Sequence, residues 1–287
     1  MNQPPRLRVG VIGVGRVGSV LAAALQQAQH PVVAAHAVSQ SSLNRAAVLL
    51  PATDLVSIDE VVQAAQLLLI SVPDDVLPDL VAGIASTVGF QSHQLIAHTS
   101  GRHGIGVLEP ARAQGAIVMA LHPAMTFTGS PTDRVRLTSC PFGVTAEPEG
   151  RAAAEALVIE MGGDPWWVEE TDRPKYHAAL SHASNNLNTV ITQSRNLLSE
   201  IGFADSGAFL TPLVMASAEN ALALGTQTLT GPISRGDVET LRAHIETLRG
   251  SNTFESYRAL ALATIELAVA ANRITESQAQ PLRDVCK

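Results

Sequence analysis

A chain of 287 residues is long enough for one large domain or two ordinary ones. Apolar residues make up 46% and charged residues 16%, so a sizeable core can form and a disordered chain is excluded. The net charge of −7 argues against a nucleic-acid partner, and two cysteines, Cys140 and Cys286, build no disulfide framework, which fits a reducing cytoplasm. No apolar leader is expected ahead of Val9, and no stretch approaches the roughly 20 uninterrupted apolar residues of a membrane span.

The first element is a short apolar run, Val9 to Ile12, which reads as a buried parallel strand. It enters Gly13-x-Gly15-x-x-Gly18 and then an Ala/Leu-rich helix, the context that a dinucleotide-binding turn requires. Gly13 permits the tight turn, Gly15 leaves room for a pyrophosphate against bare backbone, and Gly18 lets helix and strand pack closely. Arg16 and Val17 complete the loop, and the helix N-terminus offers N–H groups to the phosphates. Strands follow at 31–38, 66–72, 94–98 and 116–121, alternating with helices at 58–65 and 105–114. A further β-α-β unit spans 141–145, 148–161 and 164–168. This alternation predicts a doubly wound, mostly parallel sheet. From about Asp172 the pattern is helical, with helices expected at 173–201, 207–224, 235–249, 253–272 and 275–284. The expected organisation is an α/β dinucleotide-binding domain over 1–170 and an all-α domain over 171–287.

An NAD site usually places an acidic residue at the end of the second strand to accept from the ribose 2′-OH. No Asp or Glu occurs between Pro31 and Leu50. Ser39, Ser41 and Ser42 stand there instead, with Arg45 one turn on and Arg16 in the glycine loop. Hydroxyls and guanidinium groups suit a 2′-phosphate, so NADP is favoured over NAD. A polar turn with Ser41 or Ser42 as N-cap of the next helix accounts for the same serines, and both readings can hold together.

Several segments carry a resemblance: the glycine turn, LLLISVPDDVL at 67–77, HTSGRHGIGVLEPARAQGA at 98–116, LHPAMTF at 121–127, KYHAALSHASNNL at 175–187 and LTGPISRGDVETLRAHIETL at 229–248. Together they resemble the 6-phosphogluconate/β-hydroxyacid dehydrogenase superfamily, which includes ketopantoate reductase and pyrroline-5-carboxylate reductase. Within it they resemble a bacterial branch of Rossmann-like oxidoreductases whose helical C-terminal domain has no settled function. The resemblance implies an NAD(P)-dependent oxidoreductase with a helical dimerisation and substrate domain, and it implies no particular substrate. In relatives the Ser71-Val72-Pro73 strand end packs near the cofactor, and the His98-Thr99-Ser100 end reaches the nicotinamide.

His122 follows the next strand, where a side chain is placed to face the cleft. From Tyr176 to Ser194 no charged side chain occurs. At about 100° per residue His177, Ser181, Ser184, Asn188 and Thr192 form one stripe, with Asn185 at its edge. Such a stripe suits either a helix buried in a cleft or polar packing in a dimer interface. The superfamily helix often carries a catalytic Lys with an Asn four residues on. Here Lys175 is followed at that spacing by Ala179, and His182 by Asn186, so the proton donor is read as His177 or His182 rather than Lys175. The Thr230–Asp237 segment reads as a turn with Ser234 as N-cap, Arg235 either bracing the helix start or gripping a carboxylate. No ligand-like His pairing supports a metal.

The resulting expectation is an NADP-dependent oxidoreductase acting on a small oxo- or imino-acid. His177, Asn185 and His122 are its catalytic candidates. A nucleotide-binding sensor without turnover and a hydride exchange between NADP and a deazaflavin are the alternatives. The Ala/Leu-rich stretches Ala216–Leu224 and Leu260–Ala271 predict a homodimer through the helical half.

Overall fold

The computed structural model describes residues 6–287. Its contacts divide into two compact units, Met1–Ser184 and Asn185–Lys287. The division falls inside the helix expected at 173–201, whereas the change of sequence pattern lies near residue 170.

The first unit runs β1 (Val9–Ile12), α1 (Arg16–Gln27), β2 (Val32–His36), α2 (Gln40–Leu49), β3 (Asp54–Leu55), α3 (Ile58–Ala64), β4 (Leu67–Ile70), α4 (Leu77–Thr87) and β5 (Leu95–His98). It continues through α5 (Glu109–Arg112), β6 (Ile117–Pro123), α6 (Asp133–Arg136), β7 (Pro141–Ala146), α7 (Arg151–Glu160), β8 (Asp164–Trp167) and α8 (Arg173–Ser181). The eight strands form one sheet in the order β3-β2-β1-β4-β5-β6-β7-β8. All neighbours are parallel except β6 and β7, which are antiparallel and pair His122 with Gly143.

Strand periodicity explains the two cores of this unit. Val9, Val11, Leu67 and Leu69 face one layer, whereas Ile12, Leu68 and Ile70 face the other. Both faces are covered, so β4 reads in sequence as an unbroken apolar run. The strand order reverses at β1, between β2 and β4, and the crevice beyond their carboxyl ends is where such sheets bind ligands.

The expected doubly wound sheet is present, with local differences. Residues 39–45 do more than turn: Ser39, not Ser41 or Ser42, is the N-cap of α2 and accepts from the Ser42 N–H. The two-residue edge strand β3 and the one-turn α6 are too short to leave a periodic signal. The helix expected at 105–114 is a 3₁₀ turn, Ile105–Leu108, followed by the single turn α5. Strand β6 extends to Pro123, so His122 lies inside the strand rather than beyond it.

The chain leaves the first unit through a π-helical turn, His182–Asn186, and enters α9 (Leu187–Glu200). A π turn winds at a different pitch from an α-helix. The single stripe expected from His177 to Thr192 is therefore out of phase before and after the turn.

The second unit continues with α10 (Ser206–Leu224), α11 (Val238–Leu248), α12 (Phe254–Ala270) and α13 (Glu276–Val285). Leu241, Ile245, Ala261, Ile265, Ala279 and Leu282 build its core. Asp237, rather than Ser234, caps α11 by accepting from the Thr240 N–H at 3.0 Å. Gly236, at φ +70°, makes the left-handed step before it. Helix α9 buries no residue and α10 only Ser206, leaving Phe209, Leu213, Met215 and Leu222 exposed. The segment Ser206–Arg235 is long and apolar enough, by length and composition alone, to cross a membrane.

Two glycines with opposite surroundings test this packing. A Cβ at Gly10 would lie 2.8 Å from both Ala65 Cβ and Val61 Cγ1, so Gly10→Ala should lose about 1–3 kcal/mol. A Cβ at Gly83 on α4 meets nothing within 4 Å, so Gly83→Ala should gain about 0.5–1 kcal/mol. Urea denaturation of the two variants should therefore move in opposite directions.

Candidate active site

The glycine turn is a site of close backbone approach. Gly13 takes φ +93°, and a Cβ there would overlap the Ser71 carbonyl group at the end of β4. A Cβ on Gly18 would overlap the Gly13 carbonyl oxygen and lie 2.8 Å from Ser71 Cβ. Gly15 differs, because a Cβ there meets nothing within 4 Å. Its bare backbone faces open space, as a bound pyrophosphate requires. Gly13, Gly15, Ser39, Ser71, Val72 and Pro73 line one cavity of about 460 Å³. His36 and Val38, which no sequence motif marks, line it too, as does Val76 from the LLLISVPDDVL segment.

At the α2 end, the Ser39 hydroxyl lies 3.1 Å from the Ser41 hydroxyl. Arg45 donates through Nη1 to the Ser41 carbonyl at 2.8 Å, and its buried Nε has no partner. A Cβ at Gly129 would lie 2.7 Å from Arg45 Cδ and 3.2 Å from Arg16 Cγ, so both arginines border the same spot. A buried guanidinium N–H with no acceptor, beside hydroxyls and a second arginine, is a donor set suited to a phosphate. The residues present thus fit a dinucleotide carrying a 2′-phosphate.

Along the carboxyl edge of the sheet, Thr99 donates to the Ser71 hydroxyl at 3.0 Å and ties β5 to the glycine turn. Beyond it lies a polar cluster around His122. The ring Nδ1 is 2.9 Å from the Tyr176 hydroxyl. The His177 ring stands edge-on to it, centroids 6.0 Å apart. Gly101 is wedged against both rings, since a Cβ there would meet His177 Cδ2 at 2.6 Å and His122 Nε2 at 2.8 Å. Gly143, the β7 partner of His122, gives the Tyr176 phenol the room it occupies.

Beneath the cluster Arg173 is fully buried. It donates through Nε to the Thr145 hydroxyl at 2.8 Å, and through Nη2 to the carbonyls of Gly143 at 3.0 Å and Ala120 at 3.2 Å, while Nη1 is unpartnered. Burial pulls its pKa down to about 10. His122 is held neutral, its pKa lowered to about 4 by burial first and then by the neighbouring Arg173 and His177. Burial pushes the Tyr176 phenol up, with Arg173 opposing. With the phenol protonated, its hydrogen bond to His122 is compatible with Tyr176 donating to Nδ1 and the imidazole proton standing on Nε2.

His98 looks similar in sequence and differs in role. The Ser100 N–H donates to its Nδ1 at 3.1 Å, and its Nε2 donates to the Gly104 carbonyl at 2.8 Å. Both nitrogens are committed to backbone, and burial lowers its pKa to about 4. His98 is a structural brace.

Of the catalytic candidates, the fold brings His122 and His177 together in the first unit, while Asn185 lies in the π turn where the second unit begins. Gly18 and Thr99 support the cleft from behind Ser71, and Val17 is half-buried against the first core. Tyr176, Arg173 and Gly101 were missed. Tyr176 is one of only two tyrosines and adjoins His177, the one signal that marked it. Arg173 looked like an ordinary helix-start charge.

Residues 1–123 match the Rossmann-like domain family, and residues 140–264 match a domain of unknown function, DUF2520. That pairing is the one the sequence resemblance implied. Similar solved structures share the fold at low identity. A Bacteroides fragilis protein designated an NADP oxidoreductase is 22% identical with a TM-score of 0.78, covering 91% of this chain and 98% of its own. The imine reductase from Pseudomonas sp. is 18% identical at TM-score 0.62, covering 98% and 93%. The reductive aminase from Aspergillus terreus, in complex with NADPH and ethyl-5-oxohexanoate, is 14% identical at TM-score 0.60, with the same coverage. No curated protein matches the sequence.

The two buried neutral histidines set a pH dependence. Their folded pKa values lie below the unfolded value of about 6.5, so the unfolded chain binds protons that the folded one does not. The stability they contribute is present above pH 6.5 and is lost as pH falls toward 4. For fully buried His98 this amounts to roughly 3 kcal/mol. Urea denaturation of His122→Gln and wild type at several pH values should show a shallower decline for the variant. Parallel curves would contradict the buried, neutral state of His122.

Proposed function

We propose that this chain is an NADPH-dependent reductase that delivers a hydride to a small oxo- or imino-acid. The observation that carries the reading is the His122–Tyr176–His177 cluster. It lies on the same carboxyl edge, in the same compact unit, as the glycine turn and its cavity. The fold is shared with reductases of carbonyl-derived and imine substrates, which supports the class without naming a substrate.

Gly13, Gly15 and the start of α1 would hold the pyrophosphate, with Ser39, Ser41, Arg16 and Arg45 on the 2′-phosphate. Ser71, Val72, Pro73 and Thr99 would stand toward the nicotinamide. When bound, the nicotinamide supplies the hydride that the protein cannot. His122 is neutral near pH 7 and offers Nε2–H to the oxygen or nitrogen that gains charge as the double bond is reduced. Tyr176 is protonated at rest and can pass its proton to Nδ1 as the Nε2 proton leaves, which puts the charge on a tyrosinate beside Arg173 and leaves the imidazole neutral. His177 borders that position, and Asn185 contributes an uncharged amide donor. The buried Arg173 adds positive potential without offering a proton.

NADPH oxidation against a panel of 2-oxo acids and cyclic imines tests the reading. Turnover should fall by about a hundredfold in His122→Ala and Tyr176→Phe, with NADPH affinity changed by less than about twofold. Tight NADPH binding with no turnover on any panel member would instead favour a sensor.

We further propose a dinucleotide-binding domain over 1–170, a dimerisation and substrate domain over 171–287, and a homodimer formed through α9 and α10. The two helices leave large apolar side chains uncovered, among them Leu187, Val190, Phe209, Leu213, Met215 and Leu222. Sedimentation at micromolar concentration should give twice the 30.1 kDa chain mass, and a monomer would refute the dimer.

A further inference from the structure

The connection between β6 and β7 is longer than an antiparallel turn needs. It is also built as a rigid object. Met125, Phe127 and Leu137 anchor it to the first core, and α6 packs against α1. At its centre Asp133 is fully buried. Its carboxylate accepts from the Thr128 N–H at 2.7 Å, the Gly129 N–H at 2.8 Å and the Thr128 hydroxyl at 3.1 Å. Burial alone would raise its pKa, but these bonds together hold the carboxyl below its usual range. A charged buried carboxylate with its lone pairs engaged fixes a turn tightly.

That turn presents Gly129 at φ +80° to the stems of Arg45 and Arg16. Any side chain there would meet Arg45 Cδ at 2.7 Å and Arg45 Nε at 3.1 Å. Arg45 is thereby held between the Ser41 carbonyl on one side and the turn on the other, with Nε buried and unsatisfied. Long arginine side chains lose about 2 kcal/mol of rotamer entropy when immobilised. A turn that confines them beforehand removes part of that cost from ligand binding. Nothing in the glycine-turn fingerprint calls for a wall from between β6 and β7.

We propose that the Thr128–Asp133 turn is a specificity element for the cofactor's 2′-phosphate, acting as a clamp that positions Arg45 and Arg16 for a phosphate monoester. It rests on the reading that the β2 end holds the adenosine ribose of NADPH. The turn residues position the arginines, and the Arg45 guanidinium, the Ser39 and Ser41 hydroxyls and Arg16 make the contacts. Discrimination between the phosphorylated and unphosphorylated cofactors thus depends on a segment about 90 residues away in sequence from those serines.

The test is calorimetric titration of the full chain with NADPH, NADH and 2′,5′-ADP, in wild type, Gly129→Ala and Asp133→Asn. Wild type should bind NADPH at least about tenfold tighter than NADH. Each variant should lose about tenfold for NADPH and 2′,5′-ADP while NADH changes less than about twofold. A partly unfolded preparation lowers the number of sites for all three ligands equally, so the NADPH-to-NADH ratio stays readable. Wild type that discriminates, with variants that keep the full ratio or lose both cofactors equally, overturns the clamp alone. Wild type that binds neither NADPH nor 2′,5′-ADP overturns the cofactor reading and the clamp with it.

Discussion

The close approach of the β1–α1 turn to the end of β4 is the constraint on which the candidate site depends. Gly13 and Gly18 have no room for a Cβ because the Ser71 backbone and the Gly13 carbonyl occupy that space. This contact sets α1 close against the sheet and leaves the N–H groups at its start facing outward. It also fixes Ser71, through which Thr99 is tied to the same edge. The glycine requirement at Gly15 has another origin. There the backbone must stay uncovered, and nothing in the protein fills the space.

A second organising feature is the buried guanidinium of Arg173. Removing such a charge from water costs several kcal/mol, which hydrogen bonds offset only in part. Three acceptors from β6 and β7 meet it, yet Nη1 is left without one. The arrangement binds the start of α8 to the only antiparallel strand pair in the sheet. It thereby carries Tyr176 and His177 to His122 across more than fifty residues of sequence. It also biases His122 toward the neutral form. A residue that touches none of the reacting atoms thus adds to the burial that keeps His122 neutral.

The two units solve burial differently. The first closes its core on both faces of the sheet, with aliphatic side chains alternating between two layers. The second covers only α11, α12 and α13 with its own residues. Helices α9 and α10 leave Val190, Phe209, Leu213 and Leu222 in contact with solvent. These are the side chains that the proposed homodimer would cover.

Local sequence determined what depends on local physics. The apolar run of β4 and the spacing Gly13-x-Gly15-x-x-Gly18 settle strand, turn and helix over a few residues. The missing acid after β2 and the serines at 39, 41 and 42 disclose the chemistry of that strand end in the same way. Tertiary structure decided what depends on distant partners. Ser39 rather than Ser41 became the helix cap because its extended backbone, not its residue type, distinguishes it. His98 and His122 look alike in sequence, yet one has both nitrogens tied to backbone and the other has Nδ1 on the Tyr176 hydroxyl and Nε2 against Gly101. The π turn at His182–Asn186 put the expected polar stripe out of phase, since helical periodicity assumes a pitch that this segment does not keep. Arg173 and the Gly129 turn carry no motif, and Tyr176 sits in one that does not mark it, because each acquires its role only when strands far apart in the chain become neighbours.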